Sequence, residues 1–151
     1  MIRKVISGGQ AGVDRAALDF FMQRNIACGG WCPKGRIAED GFIPKKYPLK
    51  ETTETLPIFR TKKNVEEADG TLILFINRMD EGTLQTKDYV QKLDLPLYIQ
   101  ELTKDFSLDE FTNWINTKKI GILNIAGTRE SNNPGIYKRT LFFLENLKDL
   151  F

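Results

Sequence analysis

Val5-Ile6-Ser7-Gly8-Gly9-Gln10-Ala11-Gly12-Val13-Asp14 is the stretch on which the reading of this chain turns. Two apolar residues run into a glycine cluster, and a helical pattern begins at once. Val13, Ala16, Ala17, Phe20 and Phe21 fall at i, i+3, i+4, i+7 and i+8, which is one face of a helix. Glycine lets backbone approach a ligand closely and adopt positive φ. The helix behind it offers unpaired N–H groups and the positive end of its dipole. A strand, a glycine turn and a helix in that order form an anion site, and phosphate is its usual anion. The spacing is neither the dinucleotide fingerprint nor the Walker pattern, so a tight turn without ligand stays open as the alternative.

Working outward, three further apolar runs read as buried strands: Thr71-Leu72-Ile73-Leu74-Phe75-Ile76, Leu95-Pro96-Leu97-Tyr98-Ile99 and Ile120-Gly121-Ile122-Leu123-Asn124-Ile125. They are continuous rather than alternating, as strands covered on both faces are. Helical patterns lie between them, over residues 13–24, 61–68, 84–93 with Thr83 as N-cap, a segment from Leu108 to Ile115 capped by Ser107, and 134–148 opened by Pro134. This alternation predicts an α/β, Rossmann-like, doubly wound and mostly parallel sheet flanked by helices. One domain over residues 1–151 is the simplest division of a chain this long. Residues 27–60 break the pattern. Ala27-Cys28-Gly29-Gly30 reads as a short strand, and the rest, rich in Gly and Pro but carrying Trp31, Phe42 and Tyr47, reads as an ordered loop over a binding cleft.

Composition removes several chemistries. There is no histidine, which excludes histidine bases, Ser-His triads and histidine metal ligands. Cys28 and Cys32 are separated by three residues, off the redox spacing, and two thiols make no structural zinc site; both read as reduced and packed. Twenty-two basic against twenty acidic side chains leave a net charge of +2, too balanced to argue for nucleic acid or an anionic membrane as partner. No signal-peptide pattern and no apolar run of spanning length occur, so a cytoplasmic location is the default expectation.

In an open α/β sheet, ligands bind beyond the carboxyl ends of the strands. Three polar segments follow strands here: Ser7 to Asp14, Asn77 to Thr86, and Ala126 to Tyr137. Their convergence nominates Gly8, Gly9, Gln10, Gly12 and Asp14 as a first phosphate cradle, Gly82, Thr83 and Thr86 as a second, and Arg129 with Ser131 for an anion or ribose-like group. Each has a plain alternative: Asp14 as a first-turn dipole partner, Thr83 and Thr86 as a cap and a first-turn hydroxyl, Arg129 as an ion-pair partner of Glu130 or another acid. Asp69-Gly70 reads as a turn, and Trp31 as either core or ring platform. Lys34, Arg36, Arg60 and Lys62 add positive charge around the long loop.

These turns occur in a recognisable order, together with Gly30-Trp31-Cys32-Pro33-Lys34-Gly35-Arg36, Ala38-Glu39-Asp40-Gly41, Tyr47-Pro48-Leu49, Asp69-Gly70-Thr71-Leu72-Ile73, Leu123-Asn124-Ile125-Ala126-Gly127, Arg129-Glu130-Ser131 and Pro134-Gly135-Ile136-Tyr137. Across nearly its whole length the chain resembles the circularly permuted YpsA-like branch of the SLOG superfamily, described as molybdenum cofactor carriers. The resemblance implies a permuted SLOG/lysine-decarboxylase-like topology in which the unit from Ile120 to Tyr137, first in unpermuted relatives, comes late. It implies a carrier or binding protein for a phosphate-bearing, nucleotide-like small ligand, with the molybdenum cofactor, molybdopterin, as cargo. It also implies a homo-oligomer, because unpermuted relatives pair through helices; the apolar end Leu147-Lys148-Asp149-Leu150-Phe151 is one candidate contact, docking onto its own core the other. Relatives that hydrolyse nucleoside monophosphates carry a glutamate where this chain has Thr86. A threonine hydroxyl neither carries the needed negative charge nor activates water, which favours binding over turnover. Glu39, Asp40 and Glu130 are the acids that could stand in. A nucleotide N-glycosidase or phosphoribohydrolase is the enzyme alternative, and a ligand-sensing interaction module without catalysis is the other.

Overall fold

In the computed structural model, which describes residues 1–151, the three post-strand turns sit side by side because of the order in which strands join one sheet. The elements are β1 (Lys4–Ile6), α1 (Val13–Gln23), β2 (Cys28–Cys32), β3 (Ile37–Ala38), β4 (Gly41–Phe42), β5 (Leu49–Glu51), α2 (Pro57–Glu67), β6 (Gly70–Phe75), α3 (Glu81–Lys92), β7 (Leu97–Glu101), α4 (Leu108–Thr117), β8 (Ile122–Gly127) and α5 (Ile136–Glu145), with a short 3₁₀ turn over Lys148–Leu150. Six strands form a parallel sheet in the order β5-β2-β1-β8-β6-β7. β3 and β4 make a separate antiparallel hairpin.

The last strand therefore lies in the middle. Counted from β8, the chain moves outward through β1, β2 and β5, then switches to β6 and β7 on the other side. This is the doubly wound arrangement, with its switch point beside the first-counted strand. The topology is the permuted one, and the chain ends meet as it requires: Ile2 N donates to Leu150 O at 3.2 Å.

Period-2 geometry divides the sheet's two faces. Val5, Leu72, Leu74, Leu123 and Ile125 point to one side, where Phe20 and Phe21 of α1, Phe111 and Ile115 of α4 and Phe143 and Leu144 of α5 close the main core. Each fully buried aromatic there contributes about 1.5–3 kcal/mol by leaving water. Asn124 alternates with those residues and so sits on the opposite face, where its Nδ2 donates to Thr71 Oγ1 at 3.3 Å. That face, under α2 and α3, carries polar groups. A smaller cluster of Leu18, Cys32, Ala38, Ile43 and Tyr47 anchors the segment between β2 and β5.

Several expectations need correction. The short strand read at Ala27–Gly30 is present as β2 (Cys28–Cys32), but the rest of residues 27–60, expected as a loop, holds a hairpin, the edge strand β5 and the first turn of α2. β5 reads Leu49-Lys50-Glu51, three residues with two exposed charged side chains, too short for alternation to register. Buried Arg36 organises this segment by donating to the carbonyls of Ile43, Pro44, Tyr47 and Leu49. α2 begins at Pro57, in the first-turn position that tolerates a missing N–H. α3 begins at Glu81 with Asp80, not Thr83, as its cap. α5 covers less than 134–148, starting after Gly135 at φ +90° and ending at Glu145. The C-terminal stretch is not a free contact: Leu147 is buried and the Phe151 ring meets Phe21 edge-on at 4.6 Å. No helix is long and apolar enough to cross a membrane.

Candidate functional site: a polar cleft at the switch point

The turns after β1, β6 and β8, together with the facing sides of α2 and α3, enclose a narrow cleft with about 60 Å³ of water-accessible room. Gly8, Gln10 and Asp14 line it from the first turn, Gly82, Thr83 and Thr86 from α3, and Arg129 from the turn after β8. Gly9, Gly12 and Ser131 do not.

The glycines take their places for different reasons than a single cradle would require. A Cβ on Gly8 would stand 2.6 Å from Arg60 Nη1 and 2.8 Å from Asp14 Oδ2, so the pair of side chains fills that space. Gly9, at φ +79°, turns its missing side chain toward Leu49, not toward the cleft. Gly12, at φ +101°, lets two turns touch: its Cβ position lies 2.6 Å from Thr128 O and 2.7 Å from Glu130 N. Gly9 and Gly12 are thus packing glycines. The cradle that remains consists of amides. The N–H groups of Gly8 and Gly82 have no hydrogen-bond partner within the chain, and an added Cβ on Gly82 would meet nothing within 4 Å.

Asp80 ties the second and third turns together. Its Oδ1 accepts from Thr83 N at 2.9 Å and Thr83 Oγ1 at 2.6 Å. Its Oδ2 accepts from Arg129 N at 3.2 Å and Asn132 Nδ2 at 3.0 Å. Partial burial pushes this carboxyl up, but the bonds from Asn132, Thr83 and Arg129 outweigh it and hold Asp80 below the usual carboxylate range. Asp80 is an ionised hub. Thr86 Oγ1 donates to Gly82 O at 3.0 Å, an intrahelical bond that keeps the hydroxyl at the cleft wall.

Arg60 is the group that sequence reading undervalued. It is 8% exposed, donates through Nη1 to Gly8 O at 2.7 Å and stands 3.9 Å from Asp14 Oδ2. Its remaining N–H donors have no partner within the chain and line the cleft. Burial lowers the guanidinium and raises the Asp14 carboxyl, and their mutual attraction opposes both shifts. The signal was present in the helix pattern. Pro57, Arg60, Thr61 and Asn64 fall at i, i+3, i+4 and i+7, so one face of α2 meets the interior with polar groups. Asn64 uses both ends of its amide on the Trp31 backbone, accepting from Trp31 N at 2.8 Å and donating to Trp31 O at 3.0 Å. Trp31 itself lies outside the cleft, its ring between Lys50 and Lys63 with the ammoniums 5.4 and 5.5 Å from its centre. It is no platform for a ligand in this cleft.

Arg129 reaches the cleft, and its acidic neighbour is Glu39 at 3.9 Å rather than Glu130. Glu130 caps α5, accepting from Gly135 N at 2.6 Å and Tyr137 N at 3.0 Å. Ser131 bonds Glu39 through both N–H and hydroxyl. Asp40 pairs with Arg15. None of the three acids considered as substitutes for the missing glutamate lines the cleft; Asp14 does. Asp69 is the structural turn expected, accepting from the amides of Gly121 and Ile122. No group of three or more His, Cys, Asp or Glu side chains is placed to hold a metal ion.

Beside the mouth lies a shallow hollow with Leu56, Pro57 and Ile58 on one side and polar groups, Asp80, Glu81, Arg129 and Asn132 among them, on the other. Leu56 is 62% exposed. The site thus has donors at depth, beside the Asp14 and Asp80 carboxylates, and apolar side chains on one side of a mixed hollow outside.

Comparison with known proteins agrees with the topology. A crystal structure of a protein from Syntrophus aciditrophicus SB named "Putative molybdenum carrier protein" is 41% identical, covering 95% of this chain and 93% of that one with a TM-score of 0.90. No curated protein matches. The model of the circularly permutated YpsA SLOG family matches residues 5–148. With the late-placed central strand, the switch-point cleft and that match over nearly every residue, the chain belongs to the circularly permuted YpsA SLOG family.

Proposed function

We propose that this protein is a carrier or binding protein for a phosphate-bearing, nucleotide-like ligand, with the molybdenum cofactor as its cargo. One observation carries the reading: the unpaired amides of Gly8 and Gly82 and the guanidinium groups of Arg60 and Arg129 belong to four different segments and line one cleft. Amides at a helix start and forked guanidinium donors are the groups that hold phosphate oxygens. The ligand's phosphate and adjoining hydroxyls take the polar depth. Its ring system takes the Leu56, Pro57 and Ile58 side of the outer hollow, since no large apolar side chain lines the cleft itself. A pterin with a terminal phosphate fits that division, and the neighbour's name points to molybdenum.

Thr86 argues for holding rather than turnover. Its hydroxyl is engaged with Gly82 O, and no carboxylate occupies that position. The enzyme reading, release of free base from a nucleoside monophosphate, draws on Asp14, a cleft carboxyl that burial holds toward its protonated form. Two measurements decide. Mass spectrometry of small molecules released from the purified native protein should find a phosphorylated ring compound. Incubation with nucleoside monophosphates, followed chromatographically, should show no free base; base release abolished by Arg129→Ala would replace the carrier reading with the enzyme.

A further inference from the structure

We propose that Glu39 is the resident counter-anion of the Arg129 guanidinium on the turn after β8, and that a phosphate bound in the cleft takes Arg129 over by displacing Glu39. The proposal rests on the phosphate-ligand reading above. Ser131 holds the Glu39 carboxylate with its N–H at 3.1 Å and its hydroxyl, which keeps that carboxylate 3.9 Å from Arg129 Nη1, an ion pair without a hydrogen bond. A guanidinium is a donor that a phosphate takes, and the Glu39 carboxylate neutralises it in the ligand's absence. Arg129 also lines the cleft, so one guanidinium is shared between the ligand space and Glu39.

The hairpin that carries Glu39 is anchored at its base by Arg36 and Ile43, while its tip is held by polar ties. The β3–β4 hairpin is two residue pairs long, Ile37 with Phe42 and Ala38 with Gly41. Ile37 is 62% and Phe42 54% exposed, so its outer side is unburied, whereas Ala38 and the adjoining Ile43 hold its inner side in the small cluster. Its tip is tied by the Asp40–Arg15 ion pair at 3.0 Å and by Gln10 Oε1, which accepts from Glu39 N at 2.9 Å. Gln10 itself lines the cleft, which brings one of the hairpin's two ties within reach of a bound ligand. A tethered carboxylate carries one negative charge, whereas a phosphate monoester carries about −1.5 to −2 near neutral pH. A phosphate monoester therefore competes for Arg129 more strongly than a simple carboxylate does.

The test is calorimetric titration with adenosine monophosphate, with hydrogen exchange over residues 37–42 read in parallel. Glu39→Gln removes the competing charge and should tighten binding on the order of tenfold, the scale of one charge-assisted hydrogen bond. That gain should vanish when Arg129→Ala is added. In the unmutated protein, saturation with the nucleotide should speed exchange over residues 37–42. If the unmutated protein binds the nucleotide while Glu39→Gln binds no tighter and the hairpin exchanges no faster, the displacement idea falls and the cleft reading stands. If neither protein binds it, both fall.

Discussion

Arg60→Met tests the part of the site that sequence alone did not nominate. The substitution keeps most of the side-chain volume but removes the charge, leaving the Asp14 carboxyl 8% exposed without its cation. Gly8 O loses its donor at 2.7 Å as well. Removing one member of a buried pair costs about 3–5 kcal/mol, because the other charge stays desolvated. The 3.9 Å separation makes this pair loose, which places the loss near the low end, about 3 kcal/mol. For a domain of this size that is a fall in melting temperature of about 6–12 °C. Asp14→Asn keeps an acceptor for Gln10 N and should cost less, and the double variant should lose less than the sum by at least about 1 kcal/mol.

The pH dependence has a definite sign. Burial raises folded Asp14 above its unfolded value of about 3.9, and losing Arg60 raises it further. Protonation of Asp14 therefore favours the folded state. The Arg60→Met defect should be full above the variant's raised folded value and shrink as pH falls through it, before the unfolded carboxyl, at about 3.9, is protonated. Urea melts followed by circular dichroism between pH 4 and 8, at roughly one-unit intervals, measure all of this. A loss under about 1 kcal/mol, additive with Asp14→Asn and flat with pH, would refute the coupled pair and with it the account of why Gly8 must be glycine.

Asp80 behaves oppositely: its folded value is depressed, so its contribution is present above the unfolded value and lost as pH falls through the folded one. Asp80→Ala should destabilise by about 2 kcal/mol at neutral pH, with the difference closing in acid, in the same urea assay. Gly9→Glu should lower the urea midpoint, because φ is +79° and the new Cβ would stand 2.5 Å from Leu49 Cδ1; a variant with unchanged stability contradicts the packing role. Burial raises both Cys28 and Cys32 thiols, so Ellman's reagent should label them slowly at neutral pH and rapidly only after denaturant is added; fast labelling of the folded protein refutes the packed assignment.

Sequence alone determined the class of the fold. Buried parallel strands must be continuous apolar runs, and Thr71 to Phe75 and Ile122 to Ile125 announce themselves for that reason. The face of α1 follows equally from the spacing of Val13, Ala16, Ala17, Phe20 and Phe21. The turns after the central strands were legible too, because ligands gather beyond strand ends and Gly8, Gly82, Thr83, Thr86 and Arg129 do line the cleft. Tertiary structure decided what each glycine is for. A positive φ or a missing Cβ reads the same in sequence whether a ligand, Leu49 or the Thr128 carbonyl lies opposite. It also decided the charges. Arg60 and Asp14 are 46 positions apart in the chain, and Glu39 and Ser131 are 92 apart. No local pattern couples residues so distant; only the sheet order β5-β2-β1-β8-β6-β7, which brings late β8 beside early β1, sets them against one another.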